Sequence, residues 1–169
     1  NVIDPLKLIS KYGIDSVRWY LLRDFQFGQD GDFQQTRFVD ITNNDLANCI
    51  GNLLNRSTSM SRRWFNDSIP YVDVIDENEL SAKSRIVIKD CRSDLSNLNF
   101  SSASESILSL AKEANIYLNQ QAPWKLIKDK RNEKQVKVII YNVLETTRII
   151  GILLMPILPN LSHKILEQL

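Results

Sequence analysis

The stretch Gly51-Asn52-Leu53-Leu54-Asn55-Arg56 lies inside the longest helical pattern of the chain. Apolar residues recur near helical spacing on both sides of it, at Val39, Leu46, Ile50, Leu53 and Met60. They predict one helix from Asp32 to about Trp64, which would span roughly 47 Å. Asp32 and Gln35 resemble a capping box at its start. The poor helix formers Thr42 to Asp45 predict a bend.

The rest of the chain is also helical in pattern. Asp4 and Pro5 predict a capped helix start, Gly13 predicts a helix end, and Asp15 predicts the cap of a second helix running to about Gln26. Residues 66–78 are polar and irregular, so we expect an exposed connection there. Further helices are expected at about 79–98, from Ser101 or Ser102, from Pro123 to Lys128, from Glu133 to Leu154, and from Asn160. With no convincing strand or internal repeat, the sequence predicts an all-α bundle of about five helices, preceded by a two-helix appendage.

Composition excludes several classes of function. Of the 169 residues, 43% are hydrophobic and 24% are charged, which is enough apolar content to fill one core. The net charge is only +1, so overall charge gives no argument for binding nucleic acid. Cys49 and Cys91 are far apart and His163 is the single histidine, so neither a disulfide framework nor a metal site is expected. The longest apolar run, Ile149 to Leu158, is too short to span a bilayer. Because the chain begins with Asn1 rather than Met, we expect it to be part of a longer protein.

Asn52, Arg56 and Arg63 form a polar stripe on the long helix. At 100° per residue, Arg56 and Arg63 point about 40° and 20° from Asn52, so one face carries an amide and two guanidinium groups. Such a face could donate and accept hydrogen bonds at the edge of a nucleobase. By spacing alone the stripe is more typical of the solvated face of an amphipathic helix, because such stripes are common.

A second candidate feature is Pro123-Trp124, where the proline restricts the backbone just before the tryptophan. The indole could stack on an unpaired base, or it could close the end of the core. Basic residues follow it, and they could hold phosphates or form an ordinary solvated surface: Lys125, Lys128, Lys130, Arg131, Lys134 and Lys137. No catalytic motif is present: the sequence contains neither a glycine-rich phosphate loop nor metal-ligand spacing.

Five segments of the chain carry a resemblance to one known family: Asn1 to Pro5, Asp15 to Arg23 (DSVRWYLLR), Phe27 to Phe33 (FGQDGDF), Asp45 to Arg56 (DLAN…GNLLNR) and Ala122 to Trp124 (APW). In this order they resemble the C-terminal part of the bacterial methionyl-tRNA synthetase family. Asn1 to Pro5 is similar to the segment that follows the KMSKS signature of that family.

The resemblance implies a stem-contact segment at 1–33 and a helical anticodon-binding domain at 34–169. It implies that Asn52, Arg56 and Trp124 read the CAU anticodon, chiefly its cytosine, with Pro123 fixing the tryptophan and Arg63 as a weaker candidate. Several family members carry an acidic residue where Asn119 stands, so the resemblance does not extend to that position.

The implied whole enzyme would join methionine to its tRNA with ATP and Mg²⁺, in a bacterial cytoplasm or an organellar matrix. The partners implied for this chain are the anticodon stem-loop and the catalytic domain of the same protein, with no membrane. The HIGH and KMSKS motifs are absent, so this part should bind no cofactor and catalyse nothing alone. Two alternatives stay open: a cysteinyl- or valyl-type synthetase of class I, and a helical protein-interaction module.

Overall fold

The computed structural model of the chain describes residues 3–73 and 77–169. All regular structure in these residues is helical, so the predicted all-α class is confirmed. The elements are α1 (Pro5–Tyr12), α2 (Ile14–Asp24), α3 (Gln35–Ile41), a π-helix (Thr42–Gly51), α4 (Asn52–Phe65), α5 (Glu79–Ser96), α6 (Phe100–Gln121), α7 (Pro123–Leu126), a 3₁₀ turn (Lys130–Asn132), α8 (Glu133–Leu154) and α9 (Pro159–Leu166). Asn1 and Val2 of the first matched segment, and 74–76 of the predicted connection, lie outside the described residues.

Two of the predicted helix starts are wrong because other residues occupy the cap position. Asp4 does cap α1, accepting the Leu6 N–H at 2.9 Å. Asp15, however, lies in the first turn of α2, and its carboxylate instead accepts the Leu161 N–H at 2.6 Å. The helix expected from Asp32 begins only at Gln35, after a residue whose side chain makes no cap bond.

The predicted helix from Asp32 to Trp64 is continuous from Gln35 to Phe65, but its middle ten residues are a π-helix. A π-helix bonds each N–H to the carbonyl five residues earlier, so its turns are wider than those of an α-helix. A Cβ on Gly51 would lie 3.0 Å from the Leu46 carbonyl oxygen. Glycine therefore suits the end of this segment, where the chain returns to α-helical geometry and Asn52 begins α4.

Helix α6 lies at the centre of the bundle, packed against α5, α8, α2, α4 and the π-helix. Its apolar residues recur every three or four positions, as burial of one helix face requires. Those with no exposed surface are Ala103, Ile107, Leu108, Leu110, Ala111, Ala114 and Leu118. Because α6 is held on several sides, side chains near its C-terminal end are carried on a rigid element.

The appendage α1–α2 is fastened to the bundle by polar contacts as well as by packing. Trp19 is fully buried, and its Nε1 donates to Asp45 Oδ2 of the π-helix at 3.1 Å. Arg23 forms ion pairs with Asp45 and with Glu105 of α6. Arg18 Nε donates to the Ile157 carbonyl oxygen at 2.7 Å. The appendage thus contacts the π-helix, α6 and the turn before α9.

Candidate functional site

A left-handed residue at the end of α6 sets the position of Trp124. Ala122 has φ 42° and ψ 54°, and its N–H bonds the Leu118 carbonyl oxygen at 3.1 Å, which ends the helix. Pro123 then occupies the first position of α7 and is buried. Trp124 follows with 37% of its surface exposed. It is therefore not a core tryptophan, unlike the fully buried Trp19.

Arg56 of α4 lies beside Trp124, although 68 positions separate them in the sequence. The guanidinium carbon lies 5.6 Å from the centroid of the indole ring, within the range of a cation–π contact. The structure thus brings together the two predicted site residues that come from different helices.

Two asparagines of α6 hold the guanidinium in place. Arg56 Nη2 donates to Asn119 Oδ1 at 2.7 Å, and Nη1 donates to Asn115 Oδ1 at 3.4 Å. Asn115 Nδ2 in turn donates to the carbonyl oxygens of Cys49 and Ala111, at 3.1 and 3.0 Å. The position of Arg56 is therefore set jointly by α6, the π-helix and Trp124.

In residues 3–73 and 77–169, the two hydrogen-bond acceptors of the Arg56 guanidinium are neutral amide oxygens. Its side chain is half-buried, and this burial lowers the pKa of the guanidinium, which still stays protonated at neutral pH. Among the described residues it takes part in no ion pair. An arginine side chain has five N–H donors, and the two asparagines use two of them. A ligand with acceptor atoms could bind to the remaining donors.

The remaining predicted site residues, Asn52 and Arg63, lie on α4 together with Arg56. Asn52 is exposed at the first position of α4, one turn before Arg56. Arg63 is exposed seven residues beyond Arg56, about 10 Å farther along the axis. In the described part of the chain neither side chain makes a hydrogen bond or ion pair. Asn52 is one helical turn from Arg56 on α4, and Arg63 is about two turns from it on the other side.

The sequence did not indicate the role of Asn115 or the hydrogen bond from Arg56 to Asn119. Asn115 and Asn119 are four residues apart, so both face the same side of α6. That spacing was visible in the sequence, but nothing in it indicated that α4 lies opposite. Side-chain pairing across two helices depends on their packing.

Several other kinds of site are not found in the described ranges. In residues 3–73 and 77–169, no group of three or more His, Cys, Asp or Glu side chains could hold a metal ion. The helices of these same ranges include none long and apolar enough to cross a membrane.

The site therefore combines an exposed amide and a guanidinium on α4 with a partly exposed indole on α7. Residues 1–58 match the family model described as tRNA synthetases class I (M), which defines the class. Residues 73–169, more than half of the chain, match the anticodon binding domain of methionyl tRNA ligase. The chain therefore belongs to the methionyl-tRNA ligase family, and the cysteinyl or valyl alternative is wrong.

Individual relatives agree with this assignment. The chain is 42% identical over 172 residues to the methionine–tRNA ligase of Synechocystis, covering all of this chain and 32% of that protein. It is 38% identical to the Bacillus subtilis enzyme, of which it covers 26%. The chain also resembles a solved structure, that of Mycobacterium tuberculosis methionyl-tRNA synthetase in complex with methionyl-adenylate. The two superimpose with a TM-score of 0.93 and are 31% identical in sequence. The match covers 99% of this chain and 34% of the Mycobacterium tuberculosis chain. The chain thus spans between 26% and 34% of the length of these relatives.

Proposed function

We propose that this chain recognises the CAU anticodon of methionine tRNA, chiefly the cytosine at its first position. The observation that carries the proposal is the placement of Arg56, bonded to Asn119 at 2.7 Å and lying 5.6 Å from the Trp124 ring centroid. A fixed donor beside a half-exposed aromatic ring matches how proteins read single-stranded RNA, by stacking on a base and bonding its Watson–Crick edge.

Discrimination between cytosine and uracil follows from donor and acceptor chemistry. Cytosine presents acceptors at N3 and O2, and Arg56 has only donors to offer. Uracil carries a hydrogen at N3, which would face those donors and leave them unpaired. An unpaired buried polar group costs about 1–3 kcal/mol, so the preference for cytosine should be roughly five- to 150-fold.

The remaining site residues have distinct proposed roles. Trp124 stacks on the base that Arg56 reads, and the buried Pro123 restricts the backbone that carries the indole. Asn52, exposed one turn before Arg56, can both donate to and accept from the base edge. Arg63 contacts the RNA farther along α4.

For the whole protein we propose the activity of its relatives, attachment of methionine to tRNA with ATP and Mg²⁺, in a bacterial cytoplasm or an organellar matrix. Residues 1–33 would contact the tRNA stem and 34–169 the anticodon. The catalytic domain of the same protein would supply the chemistry. Ion pairs and hydrogen bonds from Arg18 and Arg23 to the bundle support a stiff link between the two segments.

The proposal is tested by measuring affinity of the 169-residue chain for RNA stem-loops that differ only in the first anticodon base. We expect the CAU stem-loop to bind roughly five- to 150-fold more tightly than the UAU stem-loop at the same salt concentration. Equal affinity for both would contradict base recognition. Binding of neither, with recovery of a protein partner instead, would favour the interaction-module alternative.

Loss of the Asn119 acceptor should reduce selectivity without affecting the fold. Asn119→Ala removes the 2.7 Å hydrogen bond that holds Arg56. Because one such bond contributes about 0.5–1.5 kcal/mol, we expect the ratio of CAU to UAU affinity to fall by about twofold to twelvefold. Gln120→Ala, at the neighbouring exposed position of α6, is the control and should leave the ratio unchanged. If Asn119→Ala and Gln120→Ala had the same ratio of CAU to UAU affinity, Asn119 would have no role in base recognition.

A further inference from the structure

A polar groove lies between the segment after α4 and the start of α8. Tyr71 lines one part of it, and Lys130, Lys134 and Lys137 line another, around a volume of about 450 Å³. This volume is within the usual range for a small-ligand site and is large enough for a nucleotide.

The groove has unbalanced positive charge. Arg131 pairs with Asp129 at 2.7 Å, and Lys137 pairs with Glu133 at 2.8 Å. Lys130 and Lys134 form no ion pair with any residue of the described ranges, and both are exposed. Two ammonium groups outside any ion pair therefore line the groove. Two carboxylates line it as well: Glu133, which is paired with Lys137, and Asp73, which takes part in no ion pair in those ranges.

Tyr71 adds an aromatic surface to these charges. Its side chain is 81% exposed, the largest exposure among the large hydrophobic and aromatic residues of the described chain. An exposed ring beside lysines is the combination by which proteins hold single-stranded nucleic acid, with bases on the ring and phosphates on the cations. An acidic peptide would use the lysines but would leave the ring without a specific role.

The groove is also close in sequence to Trp124, which with Arg56 forms the proposed base-binding site. Lys130 follows Trp124 by six residues, which can span at most about 22 Å even when fully extended. Leu126 and Ile127, which lie between them, pack against the same buried cluster of α8 as Trp64 and Phe65 at the end of α4. Since Arg56 and Trp64 both belong to α4, one RNA could pass from the base site to the groove.

We propose that this groove is a second RNA contact, in which Lys130 and Lys134 bind phosphates of the anticodon arm and Tyr71 stacks on a neighbouring base. The proposal rests on the proposed function, because the RNA is the one whose anticodon Arg56 reads. The groove supplies affinity and orientation, while Arg56 and Trp124 supply selectivity. The phosphate contacts carry no information about sequence.

The test is the salt dependence of stem-loop binding by the double variant Lys130→Gln/Lys134→Gln. We expect the slope of log affinity against log salt concentration to fall by about 1.5, because each phosphate contact contributes about 0.7–0.9. The CAU to UAU ratio should stay at the value for the unsubstituted chain. Tyr71→Ala should weaken binding about fivefold or more, whereas Tyr71→Phe should bind normally.

A matched control is Lys89→Gln/Arg92→Gln, which removes the same charge from exposed positions of α5. An equal slope change in both double variants would overturn the groove as a specific contact, because the effect would then be one of net charge. An unchanged slope in the groove variant would overturn it directly. If groove substitution abolished binding of a polyglutamate peptide but not of RNA, the groove would be a peptide site. In each case a retained CAU preference would leave the proposed function standing.

Discussion

Replacement of Trp124 by alanine should weaken binding of the CAU stem-loop by about 1–3 kcal/mol, a loss of roughly five- to 150-fold. The expectation follows from exposure, since 37% of this side chain remains accessible although its neighbour Pro123 is buried. Alanine would remove the stacking surface and also the ring that lies beside Arg56. Titration at fixed salt, with circular dichroism to verify the helical content, measures the effect.

Two further variants separate stacking from general loss of apolar surface. Trp124→Phe keeps an aromatic ring and should retain most of the affinity. Ile88→Ala removes an apolar side chain of α5 with similar exposure, 42%, and should have no effect on RNA binding. Unchanged affinity of Trp124→Ala at equal salt would show that the indole does not contact the base.

Replacement of Arg56 by alanine should remove most of the preference for cytosine over uracil, which we expect to be roughly five- to 150-fold in the affinity ratio. The guanidinium is the group whose donors are directed by Asn115 and Asn119, and alanine leaves both amide oxygens without their donor. The measurement is the ratio of CAU to UAU affinity, taken beside the thermal stability of each variant. Asn52→Ala should lower the same ratio by a smaller amount.

Arg56→Lys is the informative companion to this variant. Lysine keeps the positive charge but lacks the planar set of five donors, so it can attract phosphate without matching a base edge. We expect Arg56→Lys to retain much of the affinity and to lose the preference for cytosine. If Arg56→Ala weakened CAU and UAU stem-loops equally, Arg56 would be a phosphate contact and the proposed reading of cytosine would be wrong.

The helical architecture was largely predictable because it depends on local patterns. The apolar spacing of α8 and the signals of Pro5, Gly13 and Pro123 act within a few residues, and the structure has helix boundaries at each of them. The wrong predictions concern Asp15 and Asp32. The Asp15 carboxylate accepts a hydrogen bond from the distant Leu161 N–H, so a tertiary contact replaces the local helix cap.

The π-helix was indicated only indirectly. The weak helix formers Thr42 to Asp45 predicted a bend, and the structure has a wider helical turn over Thr42–Gly51 instead. Its contacts come from other parts of the chain: Trp19 and Arg23 bind Asp45, and Asn115 binds the Cys49 carbonyl oxygen. Those partners cannot be read from the segment itself.

By itself the sequence determined the all-helical fold, the stripe of Asn52 and Arg56 on one helix face, and the start of a helix at Pro123. These features follow from periodicity and backbone restriction, which act over a few residues. Only the tertiary structure decided that Arg56 meets Trp124 and the asparagines of α6, and that Tyr71 and Lys130 share a groove. The physical reason is that such contacts depend on how α4, α6 and α8 pack, and packing is set by the whole core at once.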